Sequence, residues 1–146
     1  MAELKTVGII GAGQMGNGIA HVAALAGYDV IMTDISDEAL AKGMTTIEGN
    51  MRRQVQRDLI TEAAMKTGLK LIKTSASIKA HEAADIVIEA ATEKREVKEQ
   101  IFRSICEIVP AHTYLATNTS SISVTRLASV TDRPDKFIGM HFMNPV

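Results

Sequence analysis

The chain has 146 residues, a formal net charge of −1, 23% charged residues and 46% from the apolar set AVILMFWYC. That length suits one domain able to bury most of its unfolded surface without staples, and ordinary apolar content with near-zero net charge argues against a disordered chain and a basic nucleic-acid binder. The single Cys106 leaves no intrachain disulfide and no CxxC pair; no apolar run approaches the roughly 18 residues of a membrane span, and no basic-then-apolar leader opens the chain, so the expectation is a reduced, cytoplasmic domain with neither nucleic acid nor membrane as partner.

Lys5 to Ile10 is β-branched and apolar and runs into GAGQMG, Gly11 to Gly16. Met15, Ile19, Val22, Ala23 and Ala26 then recur at helical spacing, with Gly27 as a stop. Asp29 to Asp34 reads as a second buried strand. Ser36 caps a long helix whose apolar stripe is Leu40, Met44, Ile47, Met51 and Val55. Leu69 to Thr74 reads as a short strand and Asp85 to Ala91 as a stronger one. Thr92 or Glu93 opens a helix carrying Val97, Ile101, Ile105 and Ile108. Tyr114 to Asn118 is a strand, Val124 to Val130 a short helix, and Phe137 to Phe142 a last strand. The strands are continuous apolar runs, which suits burial on both faces in a parallel sheet. Strand–helix alternation with short loops predicts an α/β, Rossmann-type doubly wound, mainly parallel sheet in one domain over residues 1–146.

GxGxxG alone is a weak signal, but here a strand precedes it, a helix follows, and an acid ends the next strand. Gly11 permits the tight turn, Gly13 lets the backbone approach a pyrophosphate, and Gly16 lets helix and strand pack closely. The amides near Gln14 and Met15 and the positive end of the helix dipole face the phosphates. Asp34 suits the two adenosine-ribose hydroxyls and would repel a 2′-phosphate, and Ile35-Ser36 supplies no arginine to hold one, so NAD is favoured over NADP. The competing readings are a structural glycine turn and, for Asp34, a helix cap, for which Ser36 is better placed.

TNTSSIS, Thr117 to Ser123, puts small polar groups at the carboxyl end of a strand, where open α/β sheets bind ligands; at least one hydroxyl there caps the next helix. Glu89 lies in apolar sequence and must be paired or at a strand end. Residue chemistry alone makes Lys98 a solvated surface lysine. His141 lies in an apolar strand, with Asn144 three residues on; imidazole is the natural acid/base for oxidising an alcohol, although a core or strand-end histidine is the commoner case, as it is for His21, His81 and His112. HEAAD, His81 to Asp85, lacks the second histidine of a zinc helix, and no metal site is expected.

GAGQMGNGIA, EAATE, TNTSSIS and GMHFMNPV, in this order and spacing, resemble the NAD-binding domain of the 3-hydroxyacyl-CoA dehydrogenases, in particular the bacterial 3-hydroxybutyryl-CoA dehydrogenases. The resemblance implies hydride transfer between C3 of a 3-hydroxyacyl-CoA and NAD, with His141 as acid/base and Ser120 hydrogen-bonding the 3-oxygen. It implies pyrophosphate at Gly11 to Gly16, adenosine ribose at Asp34, and Glu93, Lys98, Asn118, Ser120 and Asn144 on the nicotinamide side. Asn50 and Arg57, with Ser120, fall at substrate positions; relatives often carry Ser and Lys at the first two. Family members continue past Val146 with a glutamate that orients the histidine and an all-helical domain that covers the acyl group and forms a homodimer. The 146 residues are therefore expected to bind NAD but to turn over slowly alone, the acyl-CoA pocket lacking a wall. Two other readings stay open: another β-hydroxyacid dehydrogenase, and a non-catalytic NAD-binding domain.

Overall fold

The computed structural model describes residues 3–119 and 121–142. Six strands form one sheet: β1 (Thr6–Ile10), β2 (Asp29–Thr33), β3 (Ile72–Ser75), β4 (Ile86–Glu89), β5 (Tyr114–Thr117) and β6 (Phe137–Gly139). Their order is β3-β2-β1-β4-β5-β6, and every neighbouring pair is parallel. The strand order reverses between β1 and β4, and ligands bind at the carboxyl ends flanking such a switch point. The Rossmann-type expectation is met, with all pairings parallel.

Each face of the sheet has its own core, because successive residues of a strand point to opposite sides. Ile86 and Ile88 pack with Val7 and Ile9 beneath α1 (Gln14–Leu25), α2 (Asp37–Gln56) and α3 (Glu62–Leu71). Val87, Leu115 and Ile10 pack on the other face with Phe102 and Ile105 of α4 (Arg95–Cys106) and Leu127 of α5 (Val124–Ser129). There Phe102 meets Phe137 edge-on, ring centroids 4.8 Å apart. Among the described residues no helix is long and apolar enough to cross a membrane.

The caps follow the residue chemistry. Ser36 Oγ accepts from Ala39 N–H at 3.1 Å at the start of α2, and Ser123 Oγ from Arg126 N–H at 3.2 Å at the start of α5. Three boundaries differ from the sequence reading. Residues 69–71 belong to α3, a separate helix whose cap is Thr61 Oγ1 on Ala64 N–H; the strand begins only at Ile72. Helix α4 starts at Arg95 behind Lys94, because Glu93 turns its carboxylate toward the loop after β5. Strand β6 ends at Gly139, three residues early.

His81 is wholly buried in a short 3-10 turn (Ile78–Ala83), with Nε2 hydrogen-bonded to Thr33 Oγ1 at 2.8 Å and Nδ1 without a partner. A Cβ on Gly8 would lie 2.4 Å from Nδ1, so β1 needs glycine there to admit the ring. Burial lowers the imidazole pKa from 6.5 to about 4. The unfolded chain takes up this proton near pH 6.5 and the folded one only near pH 4, so stability falls as pH drops through that window, by about 3 kcal/mol in all. The difference in denaturation midpoint between pH 7 and pH 4.5 is expected to shrink in His81→Phe, which keeps a ring but cannot titrate. Equal pH dependence in the two proteins would remove His81 as its source.

Candidate active site

The loop after β1 is shaped by two glycines. Gly11 has φ +111°, a left-handed conformation that L side chains rarely adopt, and its N–H bonds Thr33 O at 2.7 Å. A Cβ on Gly16 would lie 1.8 Å from Gly11 O, so α1 leaves the loop as closely as two backbones can pass. A Cβ on Gly13 would meet nothing within 4 Å. Gly13 is also the cap of α1 and has no side chain to occupy the first-turn amides, and that turn carries no acid. The result is an open cradle of backbone amides at the positive end of a helix, the donor set that suits a pyrophosphate. Gln14 and Met15 open the helix and line the crevice beside it.

Asp34 lies just past the end of β2. Its Oδ2 accepts from Ala12 N–H and its Oδ1 from Ser36 N–H, both at 3.0 Å, so the carboxylate ties the glycine loop to the start of α2. It borders a largely apolar slot of about 330 Å³ with Ile35, Ile78, Val97 and Ile101. Ile35 is 99% exposed on one side of that slot.

Across the switch point, Gly13, Gln14, Met15, Glu93, Lys98 and Asn118 line a crevice of about 280 Å³. Glu93 accepts from Ser121 Oγ at 2.8 Å and Thr119 Oγ1 at 3.0 Å. Partial burial pushes its pKa up, but these two hydroxyls, helped by the Lys98 charge, outweigh burial and hold it below the usual carboxylate range. Lys98 corrects the sequence reading: it is 1% exposed, not solvated. Its ammonium donates to Glu89 Oε1 at 2.5 Å, and Glu89 also accepts from Thr117 Oγ1 at 2.9 Å and Ala91 N–H at 2.8 Å. Glu89 is thus both paired and at a strand end. Thr117, Thr119 and Ser121 were not singled out individually by sequence, and their only early signal was the cluster of hydroxyls after β5.

His141 also corrects the reading, because it sits in exposed chain beyond β6 rather than in a strand. Both flanks are tethered to the end of β5: Met140 N–H bonds Thr117 O at 2.9 Å, and Phe142 N–H bonds Asn118 Oδ1 at 3.0 Å. Of the other histidines, His21 is buried and bonded to Gln54 Oε1 at 2.7 Å, whereas His112 is exposed rather than in the core. Ser120 and Asn144 lie outside the described residues. The HEAAD segment offers no ligand pair, since His81 Nε2 is taken by Thr33 and the Asp85 carboxylate by Lys5 and Thr6 N–H.

A third depression, about 540 Å³, runs between α1 and α2 and brings together Asn50, Arg53, Gln54, Arg57 and His21. Arg53 donates to Asn50 Oδ1, and Arg57 is the C-terminal cap residue of α2. Arg53 escaped the sequence reading although positions 50, 53 and 57 share one helix face, a spacing that would have found it.

Residues 6–146 match the family model described as 3-hydroxyacyl-CoA dehydrogenase, NAD binding domain. The chain is 53% identical over 99% of its length to a 3-hydroxybutyryl-CoA dehydrogenase of Bradyrhizobium diazoefficiens, covering 50% of that protein. It is 43% identical over 99% of its length to a 3-hydroxyadipyl-CoA dehydrogenase of Escherichia coli, covering 30% of it. The crystal structure of (S)-3-hydroxybutyryl-CoA dehydrogenase from Ralstonia eutropha superposes with TM-score 0.96 at 50% identity, over 99% of this chain and 51% of that one. The chain spans about half the length of the Bradyrhizobium and Ralstonia 3-hydroxybutyryl-CoA dehydrogenases. Glycine cradle, an acid just past the end of β2 and matched sequence agree: the chain belongs to the 3-hydroxyacyl-CoA dehydrogenase family and corresponds to its NAD-binding domain.

Proposed function

We propose that this domain holds NAD across the β1/β4 switch point and supplies the acid/base for interconverting a 3-hydroxyacyl-CoA and its 3-oxo form. The observation that carries this is the juxtaposition of the open glycine cradle with the Glu93–Lys98–Asn118 crevice, beside which the His141 segment is pinned. The Gly11 to Gly16 loop takes the pyrophosphate, Asp34 the adenosine ribose, and Glu93, Lys98 and Asn118 the nicotinamide side. Ser120 and Asn144, from the resemblance, belong to the same end. NAD, when bound, supplies the hydride acceptor. His141 takes the proton of the 3-hydroxyl and returns it in the reverse direction. Asn50 and Arg57, with Arg53 beside them, offer donors to the phosphates of CoA. On this reading the residues of 3-hydroxybutyryl-CoA dehydrogenases beyond the matched half complete the acyl pocket and the homodimer.

Titration of the 146-residue chain, following NADH fluorescence, tests the cofactor assignment. NADH is expected to bind at least about tenfold tighter than NADPH, because the Asp34 carboxylate faces the ribose edge where a 2′-phosphate would sit. Asp34→Ser should narrow that gap by weakening NADH and admitting NADPH. Equal affinity for both in the unsubstituted chain would overturn the role of Asp34, and no binding of either would overturn the site.

A further inference from the structure

Glu89 has no place in the assignments above, yet it is one of the costliest residues in the domain. A wholly buried carboxylate is tolerated only when its oxygens are satisfied and its charge is balanced. Here Oε2 receives the Ala91 amide, and Oε1 receives both Thr117 Oγ1 and the Lys98 ammonium. An apolar pair would fill the same space without desolvating two charges. The pair lies under the crevice whose wall includes Lys98 and Glu93. Three charges therefore converge there: Glu89 negative and buried, Lys98 positive and buried, Glu93 negative and exposed.

The oxidised nicotinamide ring carries a positive charge and the reduced ring carries none, so the net charge of this crevice acts on one form and not the other. We propose that Glu89 is a positioning residue that cancels the Lys98 ammonium from below, leaving the Glu93 carboxylate as the net charge met by the nicotinamide and so setting the balance between oxidised and reduced cofactor. Glu89 touches neither cofactor nor substrate. It acts through Lys98, whose ammonium it both directs and neutralises at 2.5 Å. Because Glu89 and Lys98 are buried, an unbalanced charge on either is screened less than an exposed one and acts more strongly on the crevice above it.

This inference rests on the placement of the nicotinamide in the Glu93–Lys98–Asn118 crevice. The experiment is measurement of Kd for NADH by fluorescence and for NAD⁺ by competition, with thermal melts on the same samples. In Glu89→Gln the ratio Kd(NAD⁺)/Kd(NADH) is expected to rise about tenfold, because the ammonium now opposes the oxidised ring. A merely structural role would weaken both forms alike and leave the ratio unmoved. The double variant Glu89→Gln with Lys98→Met removes one charge of each sign, and its ratio should return to within about twofold of the unsubstituted chain. An unchanged ratio in Glu89→Gln overturns the proposal, as does a raised ratio in the double variant, which also carries the test if the single variant does not fold. Failure of the unsubstituted chain to bind NADH shows instead that the underlying cofactor placement is wrong, and takes this inference with it.

Discussion

On the proposed function, and in a protein that also carries the second half of the matched relatives, replacing His141 with alanine is expected to lower acetoacetyl-CoA reduction by about 10²- to 10⁴-fold, the usual contribution of a positioned general acid or base, while the Kd for NADH stays within about twofold. An alcohol does not give up its proton to water at neutral pH fast enough to keep pace with loss of hydride from the same carbon. A group that takes the proton in one direction and returns it in the other must stand beside the reacting oxygen. His141 qualifies by placement. It is exposed, so its ring does not belong to either core. Its backbone is nonetheless fixed, through Met140 N–H on Thr117 O and Phe142 N–H on Asn118 Oδ1, to the strand end that borders the crevice. Because the side chain is exposed, its truncation should change stability by no more than about 0.5 kcal/mol, so lost turnover with an unchanged melt isolates chemistry from folding. Full turnover in the variant would assign the proton to another group. Asn118→Ala supplies a second arm: it removes the tether at Phe142, and should lower turnover by loosening the histidine segment even though the imidazole is intact.

The fold was legible wherever a local pattern decided it. β1, the glycine turn, α1 and β2 follow from an apolar run, three glycines and a helical stripe, all local in the chain. The capping serine Ser36 was legible for the same reason, whereas Ser123 was legible only as one of several hydroxyls after β5. Helix α3 was not, because it has only ten residues, with an interior Gly68 and apolar residues that equally suit a following strand; its one clear signal was Thr61 ahead of Glu62. Lys98 was misread because what buries it is not local: Glu89 lies on a different element and Thr117 on a third, and only the sheet brings them under one helix. His141 was placed in a strand because GMHFM continues the apolar run of β6, whereas β6 pairs with β5 only as far as Thr117–Gly139. Sequence therefore named the acids, glycines and histidine proposed for the site. The charge balance among Glu89, Lys98 and Glu93 depends on tertiary contact and became visible only in three dimensions.

The glycine loop carries the second large effect. Gly16→Ala is expected to abolish measurable NADH binding, a loss of at least about 100-fold, and to destabilise the domain by 1–3 kcal/mol or more, the ordinary cost of forcing a methyl group into packed space. The added Cβ would lie 1.8 Å from Gly11 O and 2.7 Å from Gly11 C, so something must move. Gly11 has nowhere to go. It is held to β2 by its N–H on Thr33 O at 2.7 Å, and a Cβ built on it lies 2.7 Å from Ala90 O. The strain therefore falls on α1, which must swing away from the loop and carry its first-turn amides with it. Gly13→Ala is the control. At φ −69° alanine fits the backbone, and its Cβ meets no protein atom within 4 Å, so the protein should melt as before. That open space is where a pyrophosphate would approach, so NADH should still bind about tenfold more weakly. A variant that leaves the fold untouched yet loses cofactor, next to one that loses both, would show that the two glycines serve different ends: Gly16 lets α1 reach the sheet, and Gly13 leaves room for what α1 points at. If Gly16→Ala melted and bound NADH like the unsubstituted chain, α1 would not need to lie this close to the loop, and the loop amides would not be what holds the cofactor.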